Sequence, residues 1–316
     1  MNKIPIVVVA GPTASGKTAL AVELAKRYGA EVVCADSMQI YRGMDIATAK
    51  PTKEEMQGVP HHIVDFLDPN EEFSVADYVE LAHSVIKDIY SRGKLAIVCG
   101  GTGLYISSLI DNIQFQETCS KTDVRAELKA LAQENGSGHL LDMLREFDPE
   151  SAERLHENNL SRIIRAIEIY KTTGVTMSEQ IRNSKLEESP YDVCMIVLDY
   201  KDRSKLYERI DRRVDLMLSV GLLNEAENVL SNETLKTARQ AIGYKELAPY
   251  FTGDASLEEC IESLKRSTRR YAKRQLTWFR RCENSIWLYP DDAGSFENLI
   301  ESASDEIKAF LERRTS

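Results

Sequence analysis

Short, uninterrupted apolar runs alternate with stretches of helical periodicity over the first hundred residues, as they do in βα units. Ile6-Val7-Val8-Val9-Ala10 predicts a strand buried on both faces, and Pro5 is acceptable there because proline can open a strand. Leu20, Leu24 and Tyr28 recur at a spacing of four and predict a helix that stops at Gly29. Val32 to Ala35 reads as a second strand and Ile63 to Phe66 as a third. Ser74 followed by Asp77 forms a capping box, and Phe73 and Tyr78 are spaced as a hydrophobic staple, so a long helix is expected from there. Leu95 to Cys99 is another continuous apolar strand, and it runs into Gly100-Gly101-Thr102-Gly103. From Glu117 to Tyr191 the chain turns polar and helix-forming, with no strand pattern. A strand returns at Cys194 to Leu198, helices fill most of the remainder, and Ile286 to Tyr289 suits an edge strand. The pattern predicts an α/β core over residues 1–116, a helical insertion over 117–191, and a continuation of the core, rich in helix, over 192–316.

Candidate chemistry narrows this picture. Gly11-Pro12-Thr13-Ala14-Ser15-Gly16-Lys17-Thr18 fits G-x-x-x-x-G-K-[ST] in full, between a buried strand and a helix. Glycines let backbone N–H groups curl around phosphate oxygens at a helix N-terminus, Lys17 adds a mobile positive charge, and the Thr18 hydroxyl can ligate magnesium. The core is therefore expected to be P-loop NTPase-like, with a parallel sheet. Asp36 ends the second strand, and in such sheets the strand ends open onto the ligand crevice. It suits a metal ligand, a general base or a simple cap. Gly100 to Gly103 leaves a strand end on the same side and brings the Thr102 hydroxyl. His61 and His62, adjacent on one strand, would point to opposite faces and are assigned a structural role.

Composition changes the picture less. A hydrophobic content of 43% is ordinary for a packed protein, and no apolar run approaches the ~18 residues of a membrane span. The opening apolar run is too brief for a signal peptide. Six cysteines, at 34, 99, 119, 194, 260 and 282, include no Cys-x-x-Cys, which argues against a disulfide framework or zinc site and fits the cytoplasm. Cys34, Cys99 and Cys194 are expected as small core residues.

Charge is more telling. The net charge is −10, yet Lys265, Arg266, Arg269, Arg270, Lys273, Arg274, Arg280 and Arg281 lie in a stretch without one acidic residue. On a helix, positions 266, 269/270, 273 and 280 form a stripe of one sign, which favours a polyanionic partner over a merely solvated face. Arg162 and Arg165 form a smaller pair one turn apart in the insertion.

Together these residues resemble the tRNA dimethylallyltransferase (tRNA isopentenyltransferase) family of bacterial type. The resemblance runs from Gly11–Thr18 through Asp36-Ser37-x-Gln39-x-Tyr41, Thr48-Ala49-Lys50-Pro51 and His61-His62-Ile63-Val64-Asp65. It continues with Gly100 to Tyr105, Arg162-x-x-Arg165-Ala166-x-Glu168, Gln240-Ala241-Ile242-Gly243-Tyr244 and Ala272 to Trp278. Two departures are Glu157-Asn158-Asn159, where the family often has Pro-Asn-Asp, and Lys245, where arginine is also common.

The resemblance implies a magnesium-dependent enzyme whose loop, Gly11 to Thr18, binds dimethylallyl diphosphate instead of ATP. The five-carbon group passes to N6 of the adenosine immediately 3′ of the anticodon, adenosine 37. Implied catalytic residues are Asp36 as base, Lys17, Thr102, and Arg213 on the diphosphate, with Thr18 holding the metal. Implied tRNA contacts are Asp36, Ser37, Met38, Gln39, Thr102, Asn159, Arg162, Arg165, Gln240, Gly243, Tyr244, Lys245, Arg270, Lys273 and Arg274. A monomer that binds the anticodon stem-loop without a membrane is expected. Without the resemblance, a small-molecule or nucleotide kinase would fit the loop best, and a regulatory P-loop ATPase with an RNA-binding surface is a further alternative.

Overall fold

A computed structural model of the chain describes residues 3–114, 122–184, 188–235 and 237–314. The chain forms two compact units, one from residues up to Ile110 and from Pro190 onward, the other from Asp111–Ser189. The expected junction at 116/117 and Cys119 lie outside the described residues.

The larger unit is built on a parallel six-stranded sheet. Its strands are β1 (Ile4–Ala10), β2 (Glu31–Ala35), β3 (His61–His62), β4 (Ala96–Gly100), β5 (Tyr191–Leu198) and β6 (Ile286–Leu288), in the order β3-β2-β4-β1-β5-β6. Its helices are α1 (Lys17–Tyr28), the single turn α2 (Lys53–Met56), α3 (Val75–Ser91) and α4 (Gly103–Ile110) before the inserted unit. The inserted unit contributes α5 (Thr122–Phe147), α6 (Pro149–Arg154), α7 (Leu160–Thr173) and α8 (Met177–Asn183). After it come α9 (Arg203–Ser219), α10 (Leu222–Ser231), the short α11 (Ala248–Thr252), α12 (Leu257–Phe279) and α13 (Phe296–Glu312).

Side chains alternate across a strand, so β1 divides the core in two. Ile6, Val8 and Ala10 pack with Tyr78 and Ile86 of α3, Ile106 of α4, Val214 of α9 and Leu264 of α12. Val7 and Val9 pack on the other face with Leu20 and Leu24 of α1 and with Leu299 and Ile307 of α13. Burial of the central strands on both faces explains their continuous apolar runs. Pro5 pairs with β5 alone; the register with β4 begins only at Ile6. Gly29 closes α1 at a φ of 61°, and Ser74 and Asp77 make the capping box of α3. Phe73, spaced as a staple partner, meets Phe66 edge-on, while Tyr78 stacks on Tyr105.

The third strand differs from expectation. It is His61–His62, and Ile63 to Phe66 does not extend it, because Ile63 and Asp65 take left-handed backbone conformations (φ 59° and 54°). That bend carries the chain onto the segment after β2: the N–H groups of Asp65 and Phe66 donate to the carbonyls of Gln39 and Ile40. His62 donates to buried Glu31 at 2.8 Å and His61 donates to the Val59 carbonyl at 2.9 Å, so both histidines serve the fold.

The inserted unit has its own core of Leu128, Leu140, Leu144, Ile163, Ile164 and Ile167. Glu168 is buried there and bound by Arg125 and Arg165. Burial opposes the ionised form of Glu168, but the two guanidinium groups prevail and hold its pKa below the ordinary value.

At the start of β2, Glu31 accepts hydrogen bonds from Arg92 and Lys94 as well as meeting His62. The Arg92 bonds, reinforced by Lys94 and His62 against the cost of burial, hold the Glu31 carboxyl well below the usual carboxylate range. A depressed folded-state pKa contributes stability above the unfolded value and loses it as pH falls through the folded one. Glu31→Gln is therefore expected to lower unfolding free energy near neutral pH by about 1.5–3 kcal/mol, the worth of a charged hydrogen bond. Urea titrations should show the gap between variant and parent narrowing as pH drops below the ordinary glutamate value of 4.5.

Candidate active site

The carboxyl ends of β1, β2 and β4 bring together the three motifs that chemistry needs. Gly11–Thr18 leaves β1 and enters α1, and its last turn is a cradle: the N–H groups of Gly16, Lys17 and Thr18 have no acceptor among the described residues. The Ser15 hydroxyl is buried and equally unpartnered. Gly11 sits where a side chain would collide, because a Cβ there would lie 2.9 Å from Ser15 Oγ and 3.0 Å from the Leu198 carbonyl oxygen.

Two side chains from later elements, the buried Gln275 and the exposed Arg209, fix this loop by hydrogen bonds. Gln275 of α12 accepts from the Thr13 N–H and donates to the Gly101 carbonyl, each at 2.9 Å. Arg209 of α9 donates through Nε to the Ala14 carbonyl at 2.9 Å. The glycines after β4 make room for α12 and β2. A Cβ on Gly101 would lie 2.2 Å from the Gln275 amide nitrogen, one on Gly103 2.4 Å from the Trp278 ring, and one on Gly100 2.0 Å from the Ala35 carbonyl oxygen. Trp278 then anchors α12 by donating to Ser107 Oγ at 2.9 Å.

Asp36 follows β2 and closes a tight turn. Its Oδ1 accepts from the N–H of Met38 at 2.9 Å, whereas Oδ2 accepts nothing among the described residues. The Thr102 hydroxyl accepts from the Ser37 N–H at 3.0 Å, so Thr102 braces the Asp36 turn. Gln39 ties this turn to the next loop by donating to the carbonyls of Thr48 and Ala49, both at 3.0 Å.

These parts enclose a cavity of about 270 Å³ lined by Lys17, Thr18, Asp36, Ser37, Met38, Gln39 and, from α9, Arg213. Ile210, Arg213, Val214 and Met217 recur at i, i+3, i+4 and i+7, so one face of α9 supplies both the guanidinium and an apolar wall. Leu222, Ile242 and Leu264 extend that wall. Lys17 donates only to the Pro12 carbonyl, at 3.4 Å, and Arg213 makes no hydrogen bond among the described residues. Burial lowers the pKa of both, and each is further lowered by a neighbouring arginine, Arg213 for Lys17 and Arg209 for Arg213, while Asp36 pulls each the other way. Two desolvated cations without a paired carboxylate, beside unpartnered N–H groups, make a site for an anion.

The remaining sequence candidates divide. Gln240 and Gly243 line the cavity, as does Arg274, whose guanidinium lies 5.5 Å from the centre of the Tyr271 ring. Tyr244 does not: it is fully buried and its hydroxyl donates to Glu225, so it cannot touch RNA directly in this structure. Lys245 is exposed, 3.9 Å from Glu246. The helical period splits the basic stretch of α12. Lys265 pairs with Asp215 at 2.7 Å and Arg269 with Asp211 at 2.6 Å, which binds α12 to α9 and removes Arg269 from the stripe. Arg266, Arg270, Lys273 and Arg274 stay exposed, within an arc of about 100°. In the inserted unit Arg162 is exposed and has no partner among the described residues, Arg165 is engaged by Glu168, and the Asn159 side chain accepts from the His156 N–H.

Gln275, Arg209, Glu225 and Tyr271 escaped the sequence reading. The glycines opposite Gln275 and Trp278 were the one available signal, since a small residue at a strand exit marks a close approach. Gln275→Leu is expected to strand the Thr13 N–H and Gly101 carbonyl at about 1–3 kcal/mol each if they stay dry. Calorimetry should show weaker binding of inorganic diphosphate, by roughly 5- to 30-fold, together with a lower melting temperature.

Comparison with known proteins identifies the family. Residues 39–282 match the family model described as IPP transferase. A tRNA dimethylallyltransferase of Caldanaerobacter subterraneus subsp. tengcongensis is 50% identical over 311 residues, covering 98% of this chain and 99% of the relative. One from Bacillus cytotoxicus is 51% identical over 304 residues, 96% of each. Among solved structures, the tRNA isopentenylpyrophosphate transferase of Bacillus halodurans superposes with a TM-score of 0.74 at 44% identity, over 99% of this chain and 98% of that one. A eukaryotic dimethylallyltransferase, captured acting on tRNA, gives 0.84 at 30% identity over 98% of this chain and 80% of its own. An anion cradle with an apolar wall, on a fold shared end to end with these enzymes, places the chain in the IPP transferase family.

Proposed function

We infer that this chain transfers the dimethylallyl group of dimethylallyl diphosphate to N6 of the adenosine immediately 3′ of the tRNA anticodon, with release of diphosphate. The observation that carries the inference is the junction, in one cavity, of an unpaired cationic cradle, an apolar wall and the free oxygen of Asp36. Diphosphate oxygens accept from the N–H groups of Gly16 to Thr18 and from the Ser15 hydroxyl, with Lys17 and Arg213 as charged donors. Val214, Met217 and Leu222 cover the five-carbon chain.

The N6 lone pair forms the new C–N bond as the carbon–oxygen bond to diphosphate breaks, and the electron pair of that bond leaves with the diphosphate. Charge growing on the bridging oxygen is stabilised by Lys17 and the loop donors. Adenine N6 is a weak nucleophile because its lone pair is delocalised. Asp36 Oδ2 accepts its proton while Oδ1 stays anchored by the Met38 N–H, so the carboxylate is aimed before the substrate arrives. Thr102 acts through this anchor, by holding Ser37.

The residues fit a magnesium ion. The Thr18 hydroxyl lines the cavity without a protein partner, and no group of three His, Cys, Asp or Glu occurs among the described residues. Magnesium commonly keeps several waters and takes substrate phosphate oxygens, and the hydroxyl that follows a P-loop lysine is a usual protein ligand, so Thr18 would hold it here. When bound, the ion neutralises charge on the departing diphosphate.

The adenosine leaves the anticodon-loop stack to reach Asp36, which a single-stranded loop permits more cheaply than a duplex. Arg266, Arg270, Lys273 and Arg274 hold tRNA phosphates, and Arg162 of the inserted unit adds a contact. The chain works as a cytoplasmic monomer; no helix among the described residues is long and apolar enough to cross a membrane.

Incubation with magnesium, unmodified tRNA and dimethylallyl diphosphate, without ATP, should add one five-carbon unit to adenosine, read by mass spectrometry. Transfer of the γ-phosphate of ATP to an acceptor, with no prenylation, would refute the assignment. In the same assay Asp36→Asn should slow transfer by roughly 10²–10⁴-fold, because the shape remains and the proton acceptor is gone. A near-normal rate would leave Asp36 only its turn-capping role.

The joint replacement Arg270→Gln and Lys273→Gln should weaken tRNA binding. Filter-binding titrations at several salt concentrations should show the slope of log affinity against log salt falling by about 0.7–0.9 for each lost phosphate contact. Binding of dimethylallyl diphosphate should stay unchanged, since that ligand sits on the loop after β1.

A further inference from the structure

We propose that Glu225 is a positioning residue that sets how long a prenyl chain the cavity admits. The proposal rests on the prenyl-donor function above and specifies its selectivity. Glu225 lies on α10 and does not line the cavity. Its carboxylate takes four donors from elsewhere in the chain. Oε2 accepts from the N–H groups of Asp45 and Ile46, and Oε1 from the N–H of Ala47, all at 2.8 Å. The fourth is the buried hydroxyl of Tyr244, 2.9 Å from Oε1.

Three successive N–H groups converging on one site form a concave anion nest, and here the protein fills it with its own carboxylate. No cation pairs with Glu225 among the described residues, so the whole charge is directed at this loop. The loop it holds is cavity wall: Ala47, Thr48 and Ala49 line the cavity alongside Leu222 and Ile242. Gly243 lets a second loop press on the same spot, since a Cβ there would stand 2.8 Å from Ala47 Cβ. Gln39 grips the far side of the loop through the Thr48 and Ala49 carbonyls. The wall is thus held from two sides, so a prenyl chain long enough to press on it meets backbone that is fixed in place.

Glu225→Gln keeps the shape but replaces an acceptor oxygen with an NH₂ donor. At least one of the three N–H groups is then left facing a donor, and the wall loosens. Tyr244→Phe removes one of the four bonds and leaves the carboxylate intact.

The test measures binding to the full-length protein of inert thio-analogues of five-carbon and ten-carbon prenyl diphosphates, with inorganic diphosphate as reference. The parent should favour the five-carbon analogue. In Glu225→Gln that preference should shrink by on the order of tenfold, the scale on which a hydrophobic pocket judges chain length. Tyr244→Phe should move it the same way by a smaller factor, and inorganic diphosphate should bind all three proteins alike. General destabilisation would not change the ratio of two analogues bound by the folded fraction. A cooperatively melting Glu225→Gln with the parent's ratio overturns the proposal. If that variant fails to fold, an unchanged ratio in Tyr244→Phe overturns it. A parent that binds diphosphate yet gains nothing from the five-carbon chain refutes the prenyl-donor function itself, and the positioning role with it.

Discussion

The buried carboxamide of Gln275 joins two strand exits that the sheet alone leaves independent. A parallel sheet delivers its loops to one edge but does not set the distance between them, because loops at strand ends are not part of the ladder. One acceptor bond to Thr13 and one donor bond to Gly101 fix the phosphate loop against the chain leaving β4. Substituting either glycine neighbour brings a side chain into atoms that have no room to move. Trp278, one turn further on, holds α12 against α4, so the carboxamide cannot drift. The cradle, the Asp36 turn and the apolar wall of α9 are all referred to this one bridge.

Electrostatics follows the same economy of placement. The chain carries a net charge of −10 and is proposed to bind a polyanion, which is possible only if cations are concentrated and acids kept away from them. Asp211 and Asp215, four residues apart on α9, take Arg269 and Lys265 and so stitch the two helices together. The basic residues that remain exposed occupy the adjoining part of the α12 surface, Lys273 only about 40° round the helix from Arg269. Inside the cavity Lys17 and Arg213 have no such carboxylate partner among the described residues, and burial lowers the pKa of each.

Much of this was legible because it is written in contiguous residues. Ile6 to Ala10, the complete loop motif and the glycines after β4 each carry their meaning within a few positions, and the buried strands could hardly be anything else. The third strand was misplaced because Ile63 and Asp65 bend in a conformation that non-glycine residues seldom adopt. Tyr244 enters as an RNA contact through the family resemblance alone; an aromatic ring with a polar tip suits a wet surface and a satisfied core equally well, and here it is core. Only the glycines at the exit of β4 hint at a close approach by Gln275, and the stretches around Gln275 and Glu225 do not show that they fix distant loops. Their partners lie 262 and about 180 residues away in sequence, and only folding reveals that one polar side chain in an amphipathic helix closes a distant loop.

The two duties of α12 have a consequence for how the gene can vary. Gln275 and Trp278 face the sheet while Arg270 and Lys273 face outward, and the two sets interleave along the same few turns. Each residue advances an α-helix by about 100°, so inserting or deleting a single one near position 272 swings every later side chain by that angle. A point substitution in this stretch loses the contacts of one side chain, but a frame-preserving codon insertion displaces the carboxamide and Trp278 together. Length polymorphism between lineages should therefore be absent from α12 and collect in the surface loops around it, which makes the spacing of these residues as much a heritable constraint as their identity.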